Sequence, residues 1–134
     1  MRTSRRWALA AEAGVLLVGA QLGIRLSGPR ALMRRLGRAE SYADGGSREP
    51  AVWRRARPIA RCVDRVADRL PWRPACLPRA LATRTMLRRR GIPCELHLGI
   101  MGTRPLAAHA WVTVGGLAIQ RGGTRGITAL ATLR

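Results

Sequence analysis

Apolar residues recur at helical spacing in three stretches of this chain and alternate with polar ones in two more. The first stretch, about Trp7 to Gly37, is apolar over most of its length, and Gly28-Pro29 predicts a break inside it. In the second, Ile59, Val63, Val66 and Leu70 stand at i, i+4, i+7 and i+11, one helical face, with Arg61, Asp64, Arg65 and Asp68 on the other. Pro58 suits the first turn of that helix and Pro71 ends it. A third helix is expected from Cys76 to Arg90. Pro74 and Pro78 suit its approach and first turn, Arg88 to Arg90 complement the dipole of its last turn, and Gly91 stops it. From Cys94 to Met101, Cys94, Leu96, Leu98 and Ile100 alternate with Glu95, His97 and Gly99. From Ala107 to Val114, Ala108, Ala110, Val112 and Val114 alternate with His109, Trp111 and Thr113. Period two predicts half-buried strands, with Leu96, Leu98, Val112 and Val114 in the core, Trp111 packed and His97 solvated. Gly115-Gly116 predicts a turn into a short strand, Leu117 to Gln120. Helices followed by antiparallel strands make the class α+β.

Residues 1–50 are expected to form an N-terminal helical arm and linker, and residues 51–134 the core. The linker, Arg38 to Pro50, holds three of the seven acids and reads as an exposed loop. Arg2, Arg5 and Arg6 ahead of the apolar run Trp7 to Leu26 have the look of an export signal or anchor. Glu12, Gln21 and Arg25 interrupt the run, and its uncharged part, Ala13 to Ile24, is too short to span a bilayer. A docked amphipathic helix in a cytoplasmic protein is therefore expected, with flanking Arg residues that also suit a peripheral membrane contact.

Composition changes this picture little. The 134 residues carry 25 basic and 7 acidic side chains, a formal net charge of +18, and every basic residue is Arg. Lys, Asn and Phe, all with AT-rich codons, are absent, so a GC-rich genome accounts for much of the Arg content. The Arg residues are dispersed, Tyr42 is the one Tyr, and no Gly-rich aromatic motif is present. A basic nucleic-acid module is thus an alternative that charge alone supports, and no nucleic-acid partner is expected. A hydrophobic fraction of 47% excludes a disordered chain. Cys62, Cys76 and Cys94 form no CxxC pair, which argues for a reducing compartment. With two His they make no ligand set at these spacings, so neither metal nor cofactor is expected.

Cys76 falls at the amino end of its predicted helix, where backbone N–H groups and the macrodipole favour an anion, and Arg73 and Arg79 add positive charge. Such a position suits a nucleophile. A strand His aimed at that helix end can take the thiol proton, which makes His109 the candidate base and His97 the fallback. Trp72, ahead of the helix, either packs or lines a cleft.

The run Leu70-Pro71-Trp72-Arg73-Pro74-Ala75-Cys76-Leu77, then Leu87-Arg88-Arg89-Arg90-Gly91, Leu98-Gly99-Ile100 and Ala108-His109-Ala110-Trp111-Val112 with Gly116 after it, resembles the transglutaminase-like leader peptidases of lasso-peptide biosynthesis, in their stand-alone form. The resemblance covers roughly Ile59 to Gln120. It implies a papain-like cysteine protease core of transglutaminase-like fold that removes the leader from a ribosomally made precursor peptide. The partners implied are that precursor, a small leader-binding protein and an ATP-dependent lasso cyclase. Carried onto this chain, Cys76 is the nucleophile and His109 the base. The family's acid, about one strand after the His, has no counterpart: Arg121 stands near its place and no Asp or Glu follows His109. Gln120 can orient the imidazole through its amide oxygen, ahead of Glu95 from the neighbouring strand. A backbone carbonyl or a simple dyad is a further solution, and a weakened or purely peptide-binding relative is the alternative to a peptidase.

Overall fold

The computed structural model describes residues 2–36, 50–101, 107–115, 117–119 and 127–133, and the side chains of 2–28, 51–97, 110–115 and 119. Among these, three helices precede four strands: α1 (Arg2–Leu36), α2 (Pro50–Arg69), α3 (Cys76–Arg89), β1 (Glu95–Met101), β2 (Ala107–Val114), β3 (Leu117–Ala118) and β4 (Ile127–Leu133). The sheet has the order β3-β2-β1-β4 with every pairing antiparallel, so the α+β class holds. The linker expected at Arg38 to Pro50 lies almost wholly outside the described residues. Pro50 itself opens α2.

Helix α3 is the hub, touching α1, α2, β1 and β2. One apolar core joins all three helices to the sheet: Ala13 and Leu17 from α1, Ala56, Ala60 and Val63 from α2, Ala80 and Leu87 from α3, and Leu96, Val112 and Val114 from the strands. Small residues carry much of this packing. Ala56, Ala60, Val63 and Ala67 form the buried seam of α2, which lets the helices approach closely.

Helix α1 docks as expected and breaks at Gly28, whose φ of 75° and ψ of 156° are open to glycine and costly for other residues. Its docking includes a charge lock. Arg90 donates from Nη2 to Glu12 Oε2 at 2.7 Å and Arg89 from Nη1 to Glu12 Oε1 at 3.0 Å. The hydrogen bond from Arg90 is the main cause holding the Glu12 carboxyl below its usual range.

Two expectations for α2 are corrected. The helix starts at Pro50, so Pro58 lies in its interior. The buried seam reaches back to Ala56, and Pro58 sits on the exposed side, where the carbonyl freed by its missing N–H faces water. Asp64 is not on a solvated face but buried, because an arginine of α3 reaches it. Helix α3 ends one residue short of Arg90, and Gly91, with φ 68°, supplies the left-handed stop.

His97 is also corrected: only 1% of it is exposed. In the β1–β2 register His97 faces Trp111 and Glu95 faces Thr113, so these four share the sheet face away from the helices. There His97 stacks on Trp111 at 5.2 Å between ring centroids, and its Nε2 shares a 2.7 Å hydrogen bond with the Thr113 hydroxyl. Trp111 is buried as packing, as expected. Leu98, expected in the core, has a side chain outside the described residues. Strand β3 is shorter than expected, and β4, pairing with the far edge of β1, was not anticipated.

Burial pushes the pKa of His97 below its ordinary 6.5, over a weaker opposing pull from Glu95. The unfolded chain therefore takes up a proton that the folded chain resists. Stability is full above 6.5 and falls as the pH drops through and below it. The urea midpoint should decline between about pH 7.5 and about pH 5.5, and His97→Gln should flatten that decline; an unchanged slope in the variant would assign the effect elsewhere.

Candidate active site

Cys76 is the first residue of α3, after Ala75 in an extended conformation, and no side chain caps this helix end. First-turn N–H groups have no intrahelical acceptor, and Pro78 in the same turn has no N–H to offer. The Cys76 side chain is half-buried against the edge of the core. Just upstream, Trp72 is 45% exposed, partly packed and partly open four residues from the thiol.

The segment that delivers Cys76 is held from both sides. Arg73 takes a left-handed φ of 35°, unusual for a side chain other than Gly, while its N–H donates to the Leu70 carbonyl at 3.1 Å. Arg79, one turn into α3, donates from Nε back to the Pro74 carbonyl at 2.8 Å. Its other nitrogens reach α2, Nη1 to Asp64 Oδ1 at 3.3 Å and Nη2 to Asp68 Oδ1 at 2.9 Å. One guanidinium thus ties the approach loop, α3 and α2 together. Arg79 was expected only as positive charge near the thiol. The Asp64–Asp68 spacing, i to i+4, presents two carboxylates on one side of α2, but nothing in that spacing names Arg79 as their partner.

The other two cysteines are poor nucleophiles. Burial pushes the Cys94 thiol up to about 11, and its Sγ donates to the Arg84 carbonyl at 3.9 Å. Burial raises Cys62 as well. No disulfide joins any of the three.

His109 lies in β2, the strand against which α3 packs most extensively, and its backbone pairs with Gly99 of β1. The residue across from His109 therefore has no side chain to crowd it. At the same place the pairing of β1 with β4 shifts register, between Leu98 and Gly99. This shift lies on the far side of β1 from β2, whose own pairing with β1 is continuous. The His109 side chain and the whole of Gln120 lie outside the described residues. Glu95 is better placed. It stands four residues from Gly99, about 13 Å along the strand. Its carboxylate is 3.8 Å from His97 Nε2, which makes it a neighbour of His97 and not of His109. The buried, stacked position of His97 also ends its use as the fallback base. Among the described residues no three His, Cys, Asp or Glu side chains gather where a metal ion would be held.

Residues 15–133 match the family described as the transglutaminase-like superfamily, a span that begins in α1 and ends in β4. The chain belongs to that superfamily. No curated protein and no solved structure matches it. The transglutaminase-like superfamily includes cysteine peptidases, and a cysteine opening a helix that packs on an antiparallel sheet is the arrangement this member displays. The match takes in residues 15–36 of α1.

If Arg79 braces the approach to Cys76, Arg79→Met should lower the unfolding free energy by about 3 kcal/mol, since it leaves the buried Asp64 carboxylate unpaired. Thermal melts check the first effect. Pairing Arg79→Met with Asp64→Asn should recover a large part of the loss; strictly additive losses would show that the two side chains do not act together.

Proposed function

We propose that this chain is a cysteine peptidase that removes the leader from a lasso-peptide precursor, acting beside a leader-binding partner protein and an ATP-dependent cyclase. The observation that carries the reading is the position of Cys76 at the head of α3 inside a transglutaminase-like domain. The motifs around Cys76 and His109 support the narrower assignment to leader removal.

In this mechanism the His109 imidazole accepts the Cys76 thiol proton, and the sulfur attacks the carbonyl carbon of the last leader residue. The negative charge that develops on the carbonyl oxygen is met by the backbone N–H of Cys76 at the helix start. Collapse of the tetrahedral intermediate breaks the C–N bond. The imidazolium gives its proton to the departing amine, which becomes the amino terminus of the core peptide. Water, deprotonated by His109, then attacks the thioester, releasing the leader carboxylate and restoring the thiol. Gln120 holds the imidazole by accepting from its other ring N–H, in place of an acid. The arginine-rich surface steers an acidic leader, or the leader bound to its partner, toward the cleft.

The test is incubation of the protein with precursor and leader-binding partner, followed by mass spectrometry. Leader release is expected, with Cys76→Ala and His109→Ala reducing turnover by at least about a thousandfold and Gln120→Ala by roughly ten- to a hundredfold. An intact precursor with wild-type protein and partner present would make the chain a peptide-binding relative that has lost catalysis with the family's acid.

A further inference from the structure

We propose that the outer face of α1 is a docking surface for an anionic lipid bilayer, on which the protein rests with this helix parallel to the membrane plane. The helix has two apolar faces. At about 100° per residue, Leu9, Ala13, Leu16, Leu17, Ala20 and Ile24 fall on one side, and these meet the core. Trp7, Val15, Val18, Leu22 and Leu26 fall on the opposite side, with exposures of 72%, 72%, 39%, 52% and 84%. Ala11 continues that outer strip, which runs about 28 Å from Trp7 to Leu26. A helix whose only task was to dock on α2 and α3 would carry polar residues there.

Charge decides what covers the strip. Arg2, Arg5 and Arg6 stand exposed at one end and Arg25 at the other. The helix has one acid, Glu12, and it is turned toward α3, neutralised by Arg89 and Arg90. Among the described residues of this helix no unpaired negative charge is left beside the apolar strip to repel anionic headgroups. By the same count Arg25 lies beside the strip, while Arg2, Arg5 and Arg6 leave the helix on its other side at the first turns, so a Trp at the end of the strip with one adjoining arginine is what matches a helix lying at a headgroup boundary. By length and composition, 2–28 could also cross a bilayer. Crossing would pull Ala13 and Leu17, both 0% exposed, out of the core and break the Glu12 pairs, so the in-plane arrangement is the one the packing allows.

The test is flotation of the full chain with vesicles of phosphatidylcholine and phosphatidylglycerol in equal parts, and with pure phosphatidylcholine, at low and high salt. Wild-type protein should float with the anionic vesicles and keep a salt-resistant bound fraction. Leu22→Ser/Leu26→Ser should cut that fraction at least about tenfold. Both leucines are exposed, so its thermal melt should match wild type. Three results would overturn the proposal. The variant floats like wild type; salt strips the wild type completely, leaving charge alone as the attraction; or wild type ignores vesicles and self-associates through this face, with the variant monomeric in sedimentation.

Discussion

The Arg79 guanidinium is the point on which the geometry around Cys76 depends. Its five N–H donors are rigidly spaced, so satisfying Asp64, Asp68 and the Pro74 carbonyl together fixes three segments relative to one another. The approach loop has no regular structure of its own, and it contains a residue in a left-handed conformation. Without an anchor at Pro74 little would decide where α3 begins. With it, the first turn of α3 is set by α2, and α2 in turn by the alanine seam that seats it in the core. Helix packing, one buried carboxylate and a single forked cation thus place the cysteine. This division of labour suits a nucleophile, whose position must hold to a fraction of an ångström while its surroundings stay open to a peptide.

The sheet contributes differently. Its inner face is aliphatic and belongs to the helix core. Its outer face carries His97, stacked on Trp111 and hydrogen-bonded to Thr113. The β1–β2 register runs unbroken from Glu95↔Thr113 to Met101↔Ala107, so position 109 falls in the same alternation as Trp111 and Thr113, and the register shift lies across β1, in its pairing with β4. One end of the β1–β2 pair carries the stacked rings, and the other sets Gly99 across from the residue assigned to proton transfer.

Much of this was legible in the sequence because local rules and tertiary packing agree. The start of α3 at Cys76, its stop at Gly91, the break at Gly28 and the full extent of β2 follow from proline, glycine and alternation. The failures share a cause: each needed knowledge of what lies across space. Asp64 and His97 look solvated by periodicity and are buried because Arg79 and Trp111 reach them from elsewhere in the chain. The early start of α2 was hidden by a proline that an exposed helical face tolerates. Strand β4, Ile127–Leu133, is rich in Ala and Leu, and it is a strand because the edge of β1 offers backbone partners. The candidate pair Cys76 and His109 was legible from motif, whereas the bracing of the cysteine loop was not, since no motif records an arginine that works through a carbonyl.

The charge lock on α1 has a consequence for the life of the chain before it is folded. Glu12 and its partner Arg90 are 78 residues apart. At ~5–20 residues per second of synthesis, Glu12 precedes Arg90 by roughly 4–16 s. Through that interval α1 has neither α3 nor the sheet to cover its core side, and its other side is apolar whether the chain is folded or not. Until Arg90 emerges, the core side of α1 has neither its covering helix nor its ion pair, so the order of synthesis leaves both apolar faces of the helix open together.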